Sequence, residues 1–222
     1  MNKRQKSGFK SKKEGHRFER ILAESIGYNI DGRSKTKVDI YGNGNYISVK
    51  NPSGKNTQIS LTTQDKFINA FNPSDEIVSF IRSFFGGDDF SDYPRHRKTL
   101  SQIDDSLSQK FINFLNDNSK KLYEYIITKG HGMEGEVNYL AFASEKNKID
   151  SVFYVNLDEF YNKFKKGKWS FNETTVNFHI DGKKFLHLQM KGSGKKYSNA
   201  YHSLQFHVYN IFKEKDKKIN IL

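Results

Sequence analysis

Apolar residues recur at every second position through Val38, Ile40, Ile47 and Val49, with Asp39, Ser48 and Lys50 on the intervening register. A period of two predicts two β-strands. Between them Gly42, Asn43, Gly44 and Asn45 supply the residue types that tolerate positive φ in a tight reversal, so the segment reads as a β-hairpin. Pairing Tyr41 with Tyr46 sets Asp39 opposite Ser48, with Cβ atoms about 5 Å apart in such a pair. One face is then Val38, Ile40, Ile47 and Val49, and the other carries a carboxylate, a hydroxyl and an ammonium. A half-buried antiparallel pair without any chemistry shows the same alternation.

On either side the period lengthens to that of a helix. Phe18, Ile21, Leu22 and Ile26 form a stripe closed by Gly27, suited to the C′ position. Glu19 lies about 100° round from Phe18, either in solvent or reaching over the sheet edge on which the stripe packs. Thr63 is placed to cap a short helix through Phe67 and Phe71, and Ser74 another through Ile77, Phe80, Ile81 and Phe84, ended by Gly86 and Gly87. A helix is predicted near residues 108–118, burying Phe111, Phe114 and Leu115, followed by an apolar run over 122–127. Residues 88–100 read as loop, with the basic cluster Arg95, His96, Arg97 and Lys98. Residues 130–135 spell GxGxxG, but a strand pattern follows at 137–142 where a dinucleotide fold needs a helix N-terminus, so the stretch is read as a turn. The last third is β-rich: a strand over 151–155, a short helix over 157–164, a hairpin of 176–180 with 185–190 about Asp181-Gly182, and a final strand over 204–211. Two polar stretches, 51–58 and 191–200, read as loops. Without repeats or a linker, residues 1–222 are expected to form a single α/β domain with a loosely ordered basic N-terminus to about residue 13.

Composition adds a partner. The 37 Lys and Arg exceed the 25 Asp and Glu, leaving a formal net charge of +12. Cations that neutralise phosphates release condensed counterions, so nucleic acid leads as the partner over a lysine-rich surface that binds nothing. Cysteine is absent, which excludes disulfides, thiolate zinc sites and cysteine nucleophiles. The seven histidines include no HExxH, and no GxxxxGK[ST] occurs. No apolar run is long enough to span a bilayer, and no apolar segment follows the basic start as a signal peptide requires, so an intracellular location is expected.

A helical Glu19 followed by Asp39-x8-Ser48-x-Lys50 on a hairpin resembles the core of the PD-(D/E)XK nucleases. The wider order of landmarks resembles the small type II restriction endonucleases of the HinP and MspI group: Gly8 to Lys10, the Asp39 hairpin, Gln58-Ile59, the Gly130 turn before a strand, Gln189 to Gly192, and Ser203 to Phe206. The resemblance implies a central mixed β-sheet flanked by helices and Mg²⁺-dependent hydrolysis of double-stranded DNA at a short site. It implies further a prokaryotic cytoplasmic enzyme acting as a monomer or weak homodimer, with a partner methyltransferase. By the same resemblance Asp39 is the metal-binding carboxylate, Lys50 the catalytic lysine, Glu19 a second metal ligand, and the Val49 carbonyl a coordinating group. Ser48 stands where relatives carry an amide or an acid, and a hydroxyl is the poorer ligand for a hard cation. Lys50 could act as base or as positioning cation. Candidate DNA contacts are Lys55, Asn56 and Gln58, and in the basic loop Lys191, Ser193, Lys195, Lys196, Ser198 and Asn199. Two other readings are a structure-specific or repair nuclease of the same superfamily and a DNA-binding module without catalysis.

Overall fold

The predicted hairpin forms in its predicted register. In the computed structural model, which describes residues 3–33, 36–51, 57–85, 105–130, 135–172, 175–190 and 203–208, strand β2 (Ile40–Gly42) pairs with β3 (Asn45–Lys50) through Ile40 with Ile47 and Tyr41 with Tyr46. Asn43 and Gly44 both take positive φ, 50° and 77°, the geometry whose twist matches the strands it joins. Gly42 is required for another reason: a Cβ there would stand 2.8 Å from the Tyr28 ring.

Around the hairpin a five-stranded mixed sheet runs in the order β1-β2-β3-β5-β6, with β1 Asn29–Ile30, β5 Tyr139–Ala143 and β6 Val152–Asn156. Only β3 and β5 are parallel, and a parallel pair needs a long crossover. The crossover here carries β4 (Thr57–Thr63) and the helices α2 (Gln64–Phe71), α3 (Asp75–Phe85), α4 (Asp105–Asp117) and α5 (Ser119–Tyr123), the last running on into a π-helical turn at Glu124–Thr128. One face of the sheet, Ile40, Ile47, Val49, Ala141 and Ala143, packs on Phe18, Leu22 and Ala23 of helix α1 (Lys3–Ile26). The other face contributes Leu140, Phe142, Phe153 and Val155 to a larger core shared with the remaining helices, among them α6 (Leu157–Phe164).

A second sheet was not anticipated as a separate body. Strands β4, β10 (Ser203–Val208), β9 (Lys183–Met190), β8 (Thr175–Ile180) and β7 (Lys168–Asn172) lie in that order, all antiparallel. It closes the large core with Leu186, Leu188, Leu204, Phe206 and Val208. The fold is the expected α/β arrangement of a mixed sheet flanked by helices, with this antiparallel sheet added.

Three expectations change. The basic stretch before residue 13, expected to be loose, is helical from Lys3, as its Lys, Arg and Gln content permits without an apolar stripe. Val38 leaves the face of Ile40 and joins the large core, because the backbone bends at Lys37 and again at Asp39, Thr36 Oγ1 accepts from Val38 N at 3.1 Å, and strand pleating begins only at Ile40. Thr57 and Gln58 belong to strand β4 rather than to a loop. The Gly86-Gly87 stop, the loop over 88–100, the basic loop over 191–200 and residues 209–211 of the final strand lie outside the described residues. Among the described residues no helix is long and apolar enough to cross a membrane.

Candidate active site

Period-two alternation delivers Ser48 and Lys50 to one face of β3, and Asp39, in register opposite Ser48, joins them. Asp39 Oδ2 accepts from Val49 N at 2.6 Å and from Ser48 Oγ at 3.0 Å. Lys50 Nζ donates to Ser48 Oγ at 2.6 Å and to Val49 O at 3.1 Å, and stands 3.6 Å from Asp39 Oδ2. The Ser48 hydroxyl thus accepts from the ammonium and donates to the carboxylate, which fixes both. It is almost fully buried, beside Leu140 and Phe142 of the adjacent strand, whereas Lys50 ends β3 and its ammonium emerges where the strand stops.

Glu19 reaches this group from the other layer. Phe18 and Leu22 seat α1 on the apolar face of the hairpin, and Glu19, half-buried to one side of them, lines a cavity together with Val49 and Lys50 at the end of β3. Burial, and then the charge of Asp39, hold its carboxyl above the usual glutamate range, with His16 and Lys50 opposing. His16 Nδ1 lies 3.0 Å from Glu19 Oε2.

Lys37 is the member that sequence reasoning missed. Its side chain is 8% exposed, and Nζ donates to Ile126 O at 2.8 Å and to Ile59 O at 3.0 Å, tying the π-helical turn and β4 to the start of the hairpin. Burial, reinforced by the Lys50 charge and opposed by Asp39, pulls its pKa down to about 7. A lysine beside the hairpin reads as a surface residue, and no local pattern marks it.

The site opens into two adjoining cavities. One, of ≈ 400 Å³, is lined by Lys37, Asp39, Ser48, Lys50, Gln58 and Ser60 among others; the second, of ≈ 360 Å³, by Glu19, Lys50, Thr57, Gln58, Gln205 and His207. Lys50 and Gln58 line both, so the first sheet supplies one wall of a continuous cleft and the second sheet the other. Of the residues expected to form the site, Asp39, Ser48, Val49, Lys50, Glu19 and Gln58 are brought together here. Lys55, Asn56, Lys191, Ser193, Lys195, Lys196, Ser198 and Asn199 lie outside the described residues.

The atoms that converge on the Lys50 ammonium are the Asp39 carboxylate, the Ser48 hydroxyl and the Val49 carbonyl. All are hard oxygen donors, the set that suits Mg²⁺ and its habit of keeping several waters. The ammonium is itself a cation at their focus. The donor set therefore fits a hard divalent ion, with two carboxylates at hand, Asp39 and Glu19. Among the described residues no three His, Cys, Asp or Glu side chains cluster as a metal site.

No family model matches the chain, and no curated protein matches it. Among solved structures the chain is similar to the restriction endonuclease MspI in complex with its cognate DNA. The TM-score is 0.48 at 14% sequence identity, over 81% of this chain and 69% of that one.

Proposed function

We propose that this chain is a Mg²⁺-dependent type II restriction endonuclease with a PD-(D/E)XK core, hydrolysing double-stranded DNA at a short sequence. The observation that carries the reading is the Asp39–Ser48–Lys50 constellation at the end of β3, set in a cleft and approached by Glu19. Asp39 and the Val49 carbonyl would hold the ion, and Glu19 would complete a second site. Bound Mg²⁺ supplies Lewis-acid stabilisation of the phosphate and an acidified water. Lys50 provides a fixed positive charge to the phosphate and donates to the attacking water. Ser48 orients that ammonium by accepting from it at 2.6 Å. With a hydroxyl where an acid is usual, the Asp39–Lys50 pair has no net charge, which repels a phosphate less and holds a cation less tightly.

Phosphate contacts come, in this reading, from Lys55, Lys191, Lys195 and Lys196, which orient the duplex without specifying sequence. Asn56, Ser193, Ser198 and Asn199 are further contacts, and Gln58 faces the bases. The enzyme acts as a monomer or weak homodimer, with a methyltransferase protecting the host's own sites. Incubation of mixed-sequence duplex DNA with protein and Mg²⁺ is expected to give discrete fragments. Chelation removes them, and Lys50→Ala lowers the cleavage rate at least about 10²-fold, the lower bound for losing one preorganised electrostatic donor. Fragments produced by Lys50→Ala at the wild-type rate would overturn the assignment. The neutral Ser48 favours one competing reading, a DNA-binding module without catalysis; duplex binding with no cleavage at any divalent metal is its signature.

A further inference from the structure

The second sheet turns its apolar face to the core and carries on the other a row of amides and imidazoles, closed at one end by Lys184, whose Nζ lies 3.0 Å from His187 Nδ1. Gln205 and His207 stand on β10, His187 and Gln189 on β9, and Gln58 on β4, while Leu204, Phe206, Val208, Leu186 and Leu188 fill the opposite side. The row is bonded along β9 and across to β10 and β4. His187 Nε2 lies 3.0 Å from Gln189 Oε1, Gln189 Nε2 lies 3.1 Å from His207 Nε2, and Gln205 Nε2 donates to Gln58 Oε1. Burial lowers the pKa of His207, so its imidazole is neutral at pH 7. The row ends in the cleft, where Gln58, Gln205 and His207 share the ≈ 360 Å³ cavity with Lys50 and Glu19.

Charge divides the labour. A phosphate is held by cations, whereas a base edge is read by neutral groups that offer a donor and an acceptor at fixed positions. The bond between Gln205 and Gln58 uses one donor and one acceptor. What remains is both N–H groups of Gln58 Nε2, the second N–H of Gln205 and the Gln205 Oε1 acceptor, and neither side chain has another hydrogen bond among the described residues. Exchanging N and O in both amides still leaves N–H donors on both residues and a carbonyl acceptor on one. That pair complements the adenine edge, which offers the N7 acceptor and the N6 donor. Guanine, with acceptors at both N7 and O6, sets an acceptor against Oε1.

We infer that Gln205 and Gln58 form a composite base reader, selecting adenine over guanine at a base next to the phosphate held at Lys50. The assignment of that phosphate rests on the nuclease reading; the selection of the base is tested apart from it. The probe is a pool of randomised DNA duplexes, enriched by binding to the Lys50→Ala protein in Mg²⁺. One position enriched in adenine is expected. Gln205→Leu and Gln58→Leu, each added to Lys50→Ala, are expected to lower that preference by about 10- to 100-fold, the range for one bidentate contact. Gln205→Glu places two acceptors on that strand, leads Gln58 to donate to the new carboxylate, and is expected to move the preference towards cytosine, whose N4 is a donor. This gain cannot come from misfolding. Enrichment that is unchanged by Gln205→Leu, enrichment without adenine, or no enrichment at all overturns the inference. Cleavage by the unaltered protein is scored separately. If it is absent while enrichment depends on the glutamines, the nuclease reading alone fails. If discrete cleavage occurs and enrichment ignores the glutamines, the reader alone fails.

Discussion

A lysine closed off from water must shed its proton or find acceptors, and Lys37 is arranged for both. Its nitrogen meets two carbonyls, of Ile59 and Ile126, and a neutral amine has two N–H groups to give them. Its pKa of about 7 in the folded chain lies below its ordinary value of 10.5. Between those values the unfolded chain binds the proton and the folded chain does not, so stability rises with pH across that window, by at most about 1.4 kcal/mol per pH unit. Below about pH 7 both states are protonated and the slope vanishes. Urea unfolding in chelator from pH 6 to 10 is expected to show this rise in the natural protein relative to Lys37→Met; parallel curves would mean that the amine is solvated. Asp39, Ser48 and Lys50 were legible in the sequence because a period of two fixes which side chains share a face. Lys37 was not, since its burial comes from Ile59 and Ile126, which no local pattern connects to it.

At the scale of elements, α1 brings Glu19 to the site only because Phe18, Leu22 and Ala23 are buried against Ile40, Ile47 and Val49. Phe18→Ala removes a nearly fully buried ring from that contact and is expected to cost about 3–5 kcal/mol of stability in urea unfolding. A loss under about 1 kcal/mol would show that the helix is not seated there. The stripe itself was plain in the sequence, as was the cap at Thr63, whose Oγ1 accepts from Lys66 N at 3.2 Å. Strand β7 was not, although Lys168, Trp169, Ser170, Phe171 and Asn172 alternate strictly: the run is only five residues with two apolar members, and pairing with β8 makes it a strand. Likewise Thr57 and Gln58 read as loop because they are polar, and become strand through hydrogen bonding to β10.

For the whole molecule the decisive relation is between the two sheets. Gln205 and Gln58 are 147 residues apart in sequence, and only strand register brings them together. Hence the chemical wall of the cleft could be anticipated, and of the second wall only Gln58 could, without its neighbours Gln205 and His207. The net charge of +12 acts at this scale also. If the surplus grips a duplex, the binding constant of Lys50→Ala for mixed-sequence DNA falls linearly on a log–log plot against salt, with a slope of about −4 or steeper, as for some four or more phosphates neutralised. A slope near zero in a fluorescence-anisotropy titration would show that the positive surface is not the contact surface.

Lys50 and Gln58 face the same cleft from different sheets. The wall built by β4, β9 and β10 can therefore change its side chains while Asp39, Ser48 and Lys50 keep theirs. A collection of variants confined to the polar face of those three strands would differ in the sequences it selects and share one hydrolytic apparatus, which makes the second sheet the natural place to retarget the molecule.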